Sequence, residues 1–161
     1  MIKRHSYKEQ LERIKRYYKR LEQINKGIPP SKNGIPEVSF LDEFYAFFIF
    51  CRHLEDWIIQ DRNINIPQKG KILRKFMQKN ICLKVCTEIC NGIKHVDPTK
   101  KRAEFDNVHN VTLKIKNGDW ESIADNFYVL TNKGKKDAFE LATECLNKWE
   151  EFIREHIEKK N

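Results

Sequence analysis

Apolar residues recur along most of the chain at the three- and four-residue steps of amphipathic helices. In the first segment, Tyr7, Leu11, Ile14, Tyr18 and Leu21 follow this spacing, and charged residues occupy the other positions. Proline, glycine and asparagine separate several of the periodic segments and are typical of helix boundaries. The pattern predicts five helices, over residues 5–25, 40–60, 68–78, 81–95 and 137–157.

The hydrophobic period changes from that of a helix to that of a strand after residue 103. Val111, Leu113 and Ile115 alternate with polar residues, and Asn117-Gly118 follows as a turn signal. A second candidate strand covers residues 127–131. We therefore predict a single, mainly α domain over residues 1–161. It is a bundle of about four main helices and a short one, with a β-hairpin at about 106–132 before the last helix.

The composition is that of an ordinary globular protein. Of the 161 residues, 40% are apolar and 34% are charged, which excludes collagen-like, disordered and disulfide-stapled classes. No apolar run approaches the roughly 18 residues that a membrane span requires. The N-terminal residues lack the apolar segment of a secretory signal, so we expect a cytoplasmic protein without a membrane partner.

The positive charge is concentrated in two blocks. Residues 1–20 hold eight Lys and Arg against two Glu, and residues 67–102 hold ten against one Glu and one Asp. The whole chain carries a net charge of +8. Basic blocks of this kind are typical of proteins that bind a phosphate backbone, although they also serve solubility. Both interpretations stay open at this stage.

The five cysteines predict core packing and not a disulfide framework, because their number is odd and no secretory signal precedes them. Cys82, Cys86 and Cys90 recur every four residues and share an apolar helix face. Zinc thiolates usually come in pairs at tighter spacing, with a second pair elsewhere in the chain. We therefore predict buried core thiols, no metal site and no other cofactor.

Two short groups of residues suggest chemistry. His53 and Asp56 stand one helical turn apart, so the carboxylate could orient the imidazole for acid–base catalysis. Asn91, Lys94 and His95 end a core helix and, with Arg52, could bind and polarise a phosphate. The alternatives are a surface pair or a buried histidine satisfied by its neighbour at His53, and a favourable helix-dipole contact at His95. A third alternative is a zinc or iron site formed by His53, Asp56 and His95.

The second group resembles a motif of the HEPN superfamily (higher eukaryotes and prokaryotes nucleotide-binding domain). Members are all-α bundles whose late helix carries an arginine, a polar residue that is often asparagine, three variable residues and a histidine. The run from Cys90 to His95 matches at Asn91 and His95, and Cys90 stands where the family has arginine. Asp56 is similar to an acidic or polar residue that members carry on an earlier helix.

The resemblance implies a metal-independent ribonuclease, in which the ribose 2′-hydroxyl attacks its own phosphate, and a homodimer. Because the arginine is missing, a binding or antitoxin-like role without cleavage is a second expectation. We expect an RNA-binding or RNA-cleaving protein of a toxin–antitoxin or defence type, with catalytic residues His95, His53 and Asp56 and RNA-binding residues Asn91, Lys94 and Arg52. The alternative is a non-catalytic module that binds a protein partner through Tyr45, Ile49 and Trp57.

Overall fold

The structure, a computed structural model, describes residues 6–26, 38–94, 113–114, 128–131 and 134–160. All five predicted helices are present, with bounds close to those expected, and the prediction of a mainly α bundle is confirmed. The helices are α1 (Tyr7–Asn25), α2 (Val38–Gln60), α3 (Lys69–Lys79), α4 (Ile81–Lys94) and α5 (Ala138–Phe152). The chain continues from α5 through one π-helical turn, Ile153–Ile157, and a 3-10 turn, Glu158–Lys160.

A small antiparallel sheet precedes α5. Its strands are β1 (Leu113–Lys114), β2 (Tyr128–Thr131) and β3 (Gly134–Asp137), in that order across the sheet. β1 and β2 pair as the alternating pattern predicts, with Leu113 opposite Val129. The rest of the predicted hairpin, residues 106–112 and 115–127, lies outside the described residues.

The third strand, β3, was not predicted. Its sequence, Gly-Lys-Lys-Asp, has no apolar alternation and reads as a polar approach to the last helix. Pairing with β2 nevertheless satisfies its backbone groups. Gly134 has a φ of 113°, a left-handed conformation that glycine adopts without the strain that a side chain would bring.

The helices pack around α2, which contacts α1, α3, α4 and α5. This central place follows from the sequence of α2, because its apolar residues cover a wide arc and not one narrow stripe. Phe44, Phe47 and Phe48 of α2 are fully buried together with Trp149 and Phe152 of α5. Among the helices that the structure describes, none has both the length and the apolar character that crossing a membrane requires.

Asp61, just after α2, joins the ends of three helices. It is buried, and its Oδ2 accepts a hydrogen bond from the backbone N–H of Tyr7, the first residue of α1, at 3.1 Å. Its Oδ1 accepts from Asn63 N at 2.9 Å, and its carbonyl accepts from Lys69 Nζ at 2.8 Å. Because Lys69 begins α3, this junction fixes where α3 leaves the bundle.

Candidate functional site

A basic cleft opens on the surface between α2, α3 and α4. Its volume is about 200 Å³, and three cationic side chains line it, one from each helix: Arg52, Arg74 and Lys84. One carboxylate, that of Glu55, also lines the cleft, so the side chains of its walls carry a net charge of +2. The cleft therefore attracts anions.

The sequence of α3 turns its cations towards solvent. Leu73 is fully buried and Ile72, Phe76 and Met77 are partly buried, so these residues attach one face of the helix to the bundle. The opposite face carries exposed cations and α3 contains no acidic residue. The exposed cations are Lys71, Arg74, Lys75 and Lys79.

These cations have no acidic partners in the part of the chain that the structure describes. Neither the four exposed cations of α3 nor Lys84 of α4 belongs to any salt bridge there. A row of unpaired cations beside a cationic cleft repels itself unless an anion binds, because nearby like charges disfavour one another.

The first basic block of the sequence differs, because two of its cations form ion pairs with acidic residues of other helices and a third lies over aromatic rings. On α1, Lys15 Nζ lies 3.3 Å from Glu150 Oε1, and Arg20 Nη1 lies 3.2 Å from Glu43 Oε1. Arg13 lies over the rings of Phe50 and Trp57, at 5.4 and 5.5 Å from their centroids. Of the two blocks, the second is therefore the better candidate for binding an external anion.

Arg52 is held in place at the wall of the cleft. Its Nη1 donates to Glu55 Oε2 at 2.7 Å, one turn along α2, and both side chains are partly buried. The pair fixes the direction of the guanidinium and leaves its other N–H groups for a ligand. Arg52, predicted to bind RNA, thus lies in the cleft with two cations that were not predicted.

The predicted catalytic residues on α2 lie near the cleft without lining it. His53 and Asp56 are both exposed, and no hydrogen bond or ion pair joins their side chains. Asn91 is half-buried in the last turn of α4 and also lies outside the cleft lining. The side chain of Lys94 and all of His95 fall outside the described residues, so the approach of His53 to His95 stays a prediction.

Sequence reasoning missed Arg74 and Lys84 as candidate binding residues. Both belong to the basic block at residues 67–102, which was the only sign of them in the sequence. That block has ten cations, and nothing in their order shows which of them face a common cleft.

The described residues contain one group that could hold a metal ion. The sulfur atoms of Cys51 on α2, Cys86 on α4 and Cys145 on α5 all lie within 4.8 Å of one another, and all three residues are buried. His53 and Asp56 belong to no such group in this part of the chain. The prediction that the cysteines pack in the core is confirmed for these three and for Cys82, while Cys90 is partly buried.

The pKa values of the clustered thiols shift in opposite directions. Burial raises the pKa of Cys86 and of Cys145. Burial acts in the same sense on Cys51, but hydrogen bonding with the thiols of Cys145 and Cys86 outweighs it and lowers the pKa of Cys51. Hydrogen bonding with Cys145 also lowers the pKa of Cys82.

Comparison of the chain with protein-family models, with curated proteins and with solved structures finds no match. The resemblance to the HEPN superfamily accordingly stays a prediction that rests on Asn91, His95 and Asp56. The class that the structure itself defines is a mainly α bundle with a basic surface cleft and a buried thiol cluster. Its function has to be argued from the chemistry of those two features.

Proposed function

We propose that this protein binds RNA through its basic face, which consists of the exposed cations of α3 together with the cleft residues Arg52 and Lys84. The observation that carries the proposal is that the exposed cations of α3, and Lys84 beside them, have no salt-bridge partner among the described residues. When a protein binds nucleic acid without reading its bases, contacts with the phosphates supply most of the affinity.

The arrangement of the basic face suits a chain of phosphates better than one small anion. Lys71, Lys75 and Lys79 follow one another every four residues, about 6 Å along the helix axis, so they form a row and not a point. Arg74 and Arg52 present guanidinium groups, which can bind a phosphate through two hydrogen bonds. Met77 and Leu83 add apolar surface to the cleft for a sugar or base.

The residues of the cleft support binding and not cleavage. Cleavage of RNA without a metal needs a group that moves protons near neutral pH, and histidine is the usual one. Within the described residues the lining of the cleft contains no histidine. Cleavage would therefore depend on His53 or His95 reaching the bound RNA from outside this lining.

The alternative role, as a protein-binding module, has less support from the described surface. Its predicted anchors Tyr45, Ile49 and Trp57 are each partly buried, and the ring of Trp57 lies beneath the guanidinium of Arg13. Among the described residues, Ile81 at 60% exposure is the one large apolar side chain classed as exposed. A protein interface usually presents a cluster of such residues at its centre.

The binding proposal is tested by measuring the affinity for a fluorescently labelled single-stranded RNA by anisotropy over a series of salt concentrations. The double variant Arg74→Glu/Lys84→Glu is compared with Arg16→Glu/Lys19→Glu, which reverses two exposed charges on α1. The change in net charge is the same in both variants. Any difference in RNA affinity between the two variants therefore reports where the RNA binds.

We expect the cleft variant to bind at least tenfold more weakly than the α1 variant. Its plot of log affinity against log salt should be less steep by about 1.4, which is about 0.7 for each of two lost contacts to single-stranded RNA. Equal losses in the two variants would show that net charge alone attracts the RNA, and the proposal would then fail. Tighter binding to DNA than to RNA of the same sequence would also overturn it.

Cleavage is tested separately by incubating the labelled RNA with the protein in EDTA, beside His95→Ala and His53→Ala. Loss of cleavage in either variant, with RNA affinity retained, would show that the protein is also an enzyme. Equal background in all samples would leave binding as the function.

A further inference from the structure

Three of the five cysteines, Cys51, Cys86 and Cys145, meet in the core between α2, α4 and α5, and Cys82 and Cys90 lie one turn before and after Cys86 on α4. The thiol of Cys145 donates to the carbonyl oxygen of Cys82 at 3.3 Å, and the thiols of Cys86 and Cys90 donate to the carbonyl oxygen of Phe48. Cys51, Cys82, Cys86 and Cys145 are buried. Ordinary packing of an apolar core does not require three thiols from three helices to lie together, so their convergence needs its own explanation.

The spacing of the sulfur atoms suits a single metal ion. Four sulfurs around Zn²⁺ at about 2.3 Å stand about 3.8 Å apart at the corners of a tetrahedron. The sulfurs of Cys51, Cys86 and Cys145 already lie within 4.8 Å of one another. Small side-chain rotations would therefore close them on one ion. An iron–sulfur cluster would need wider spacing, because its own atoms lie between the ligand sulfurs.

A second observation points to a ligand at the same place. Trp149 is fully buried, and its Nε1 has no hydrogen-bond partner. The indole of Trp149 lies beside Cys51. A neutral thiol is a weak acceptor, whereas a metal-bound thiolate accepts a hydrogen bond well. Metal binding at Cys51 would thus give the orphaned indole N–H a partner.

We propose that Cys51, Cys86 and Cys145 bind one Zn²⁺ ion, with Cys82 as the fourth ligand. Cys82 lies one turn before Cys86 on α4, and its sulfur lies outside the group of three, so its side chain would have to turn towards the ion. Thiolate is the ligand that soft cations prefer, and the ligand set contains no carboxylate that would favour Mg²⁺ or Ca²⁺. The proposal stands independently of RNA binding.

The remaining cysteine, Cys90, does not bind the ion in this proposal and instead holds α4 against α2. The thiols of Cys86 and Cys90 both donate to the carbonyl oxygen of Phe48 on α2, each at 3.3 Å. As a thiolate bound to zinc, Cys86 would have no proton to donate to this carbonyl. The Phe48 carbonyl would keep the hydrogen bond from Cys90, so Cys90 stabilises α4 against α2 in either state.

A closed site of this kind is structural. Four protein ligands leave no coordination position for a substrate, and the burial of the thiols keeps the ion away from solvent. The ion would enter as the chain folds and would cross-link three helices of the bundle.

The test begins with the metal content of the full chain, purified from medium supplemented with Zn²⁺ and measured by mass spectrometry. We expect one zinc per chain. Cys51→Ser and Cys145→Ser should each lower this content at least fivefold. Cys90→Ser is the matched control, because serine can still donate to the Phe48 carbonyl, and it should retain one zinc per chain.

A second measurement keeps the proposal testable when a serine variant fails to fold. The native chain is unfolded, stripped of metal and refolded with Co²⁺, whose thiolate charge-transfer and d–d bands report tetrahedral sulfur ligands. We expect these bands to saturate at one equivalent and to disappear on addition of Zn²⁺. A native chain that holds no zinc and gives no cobalt bands would overturn the proposal, as would full zinc content in Cys51→Ser and Cys145→Ser.

Discussion

Replacing Asp61 by alanine should destabilise the protein more than any change at an exposed carboxylate. The Asp61 side chain is 2% exposed and accepts hydrogen bonds from the backbone N–H groups of Tyr7 and Asn63. The first of these bonds is buried and lies at the N-terminus of α1, where negative charge is favoured by the helix dipole. The carboxylate thus binds one helix to the end of another.

The size of the effect follows from these contacts. A hydrogen bond to a charged group contributes about 1.5–3 kcal/mol, and a buried N–H that loses its partner costs a similar amount. Asn63 is exposed, so water can replace the second bond. We therefore expect the Asp61→Ala variant to lose about 3 kcal/mol of unfolding free energy. In Asp61→Asn one acceptor oxygen remains, and the expected loss is about half as large.

The assay is urea denaturation followed by circular dichroism, with thermal unfolding as a check. For a chain of this length, a loss of about 3 kcal/mol lowers Tm by about 6–12 °C. Asp56→Ala is the control, because Asp56 is exposed on the preceding helix, and it should change stability by less than about 0.5 kcal/mol. If Asp61→Ala were no more destabilising than Asp56→Ala, the role given to the junction would be wrong.

Two further predictions follow from buried groups. Leu73→Ala should lower the unfolding free energy by about 3 kcal/mol in urea denaturation, because Leu73 is the fully buried residue that attaches α3 to the bundle. The affinity for RNA should fall in the same variant. An unchanged affinity would show that α3 does not take part in binding. Burial, with Glu158 and Asp61 nearby, raises the pKa of Tyr7 above its usual 10.0. The folded state then holds a proton that the unfolded chain releases, so stability is fully present below pH 10 and falls as the pH rises above it. Tyr7→Phe should lose less stability than the native chain between pH 9 and pH 11, and identical profiles would contradict this reasoning.

The helices could be predicted from sequence because each buries one apolar face, and that face leaves a periodic trace. The stripe on α1 and the broad apolar arc of α2 both reappear as buried residues. The π-helical turn after α5 could not be predicted in the same way. Phe152, Ile153 and Ile157 keep a helical spacing, and nothing in that spacing separates an α from a π turn.

The strand β3 was missed for the opposite reason. It owes its place to backbone pairing with β2, and its side chains carry no apolar signal. The candidate cleft was predictable in part. Arg52 was recognised from its position on α2, whereas the role of Arg74 and Lys84 depends on which acidic groups lie near them in the folded chain. The tertiary fold decides which acidic groups lie near these cations, and the local sequence does not show it.

The thiol cluster and the basic cleft are linked structurally, because α4 contributes residues to both. Cys82 and Cys86 turn towards the core, while Lys84, between them in sequence, lines the cleft. On α2, the Phe48 carbonyl that accepts from Cys86 lies one turn before Arg52. A change at the thiols that moves α4 against α2 would therefore change the separation of Lys84 and Arg52. If the thiols bind zinc as proposed, a difference in metal content would act on this separation, and RNA affinity should then be compared only between samples of known zinc content.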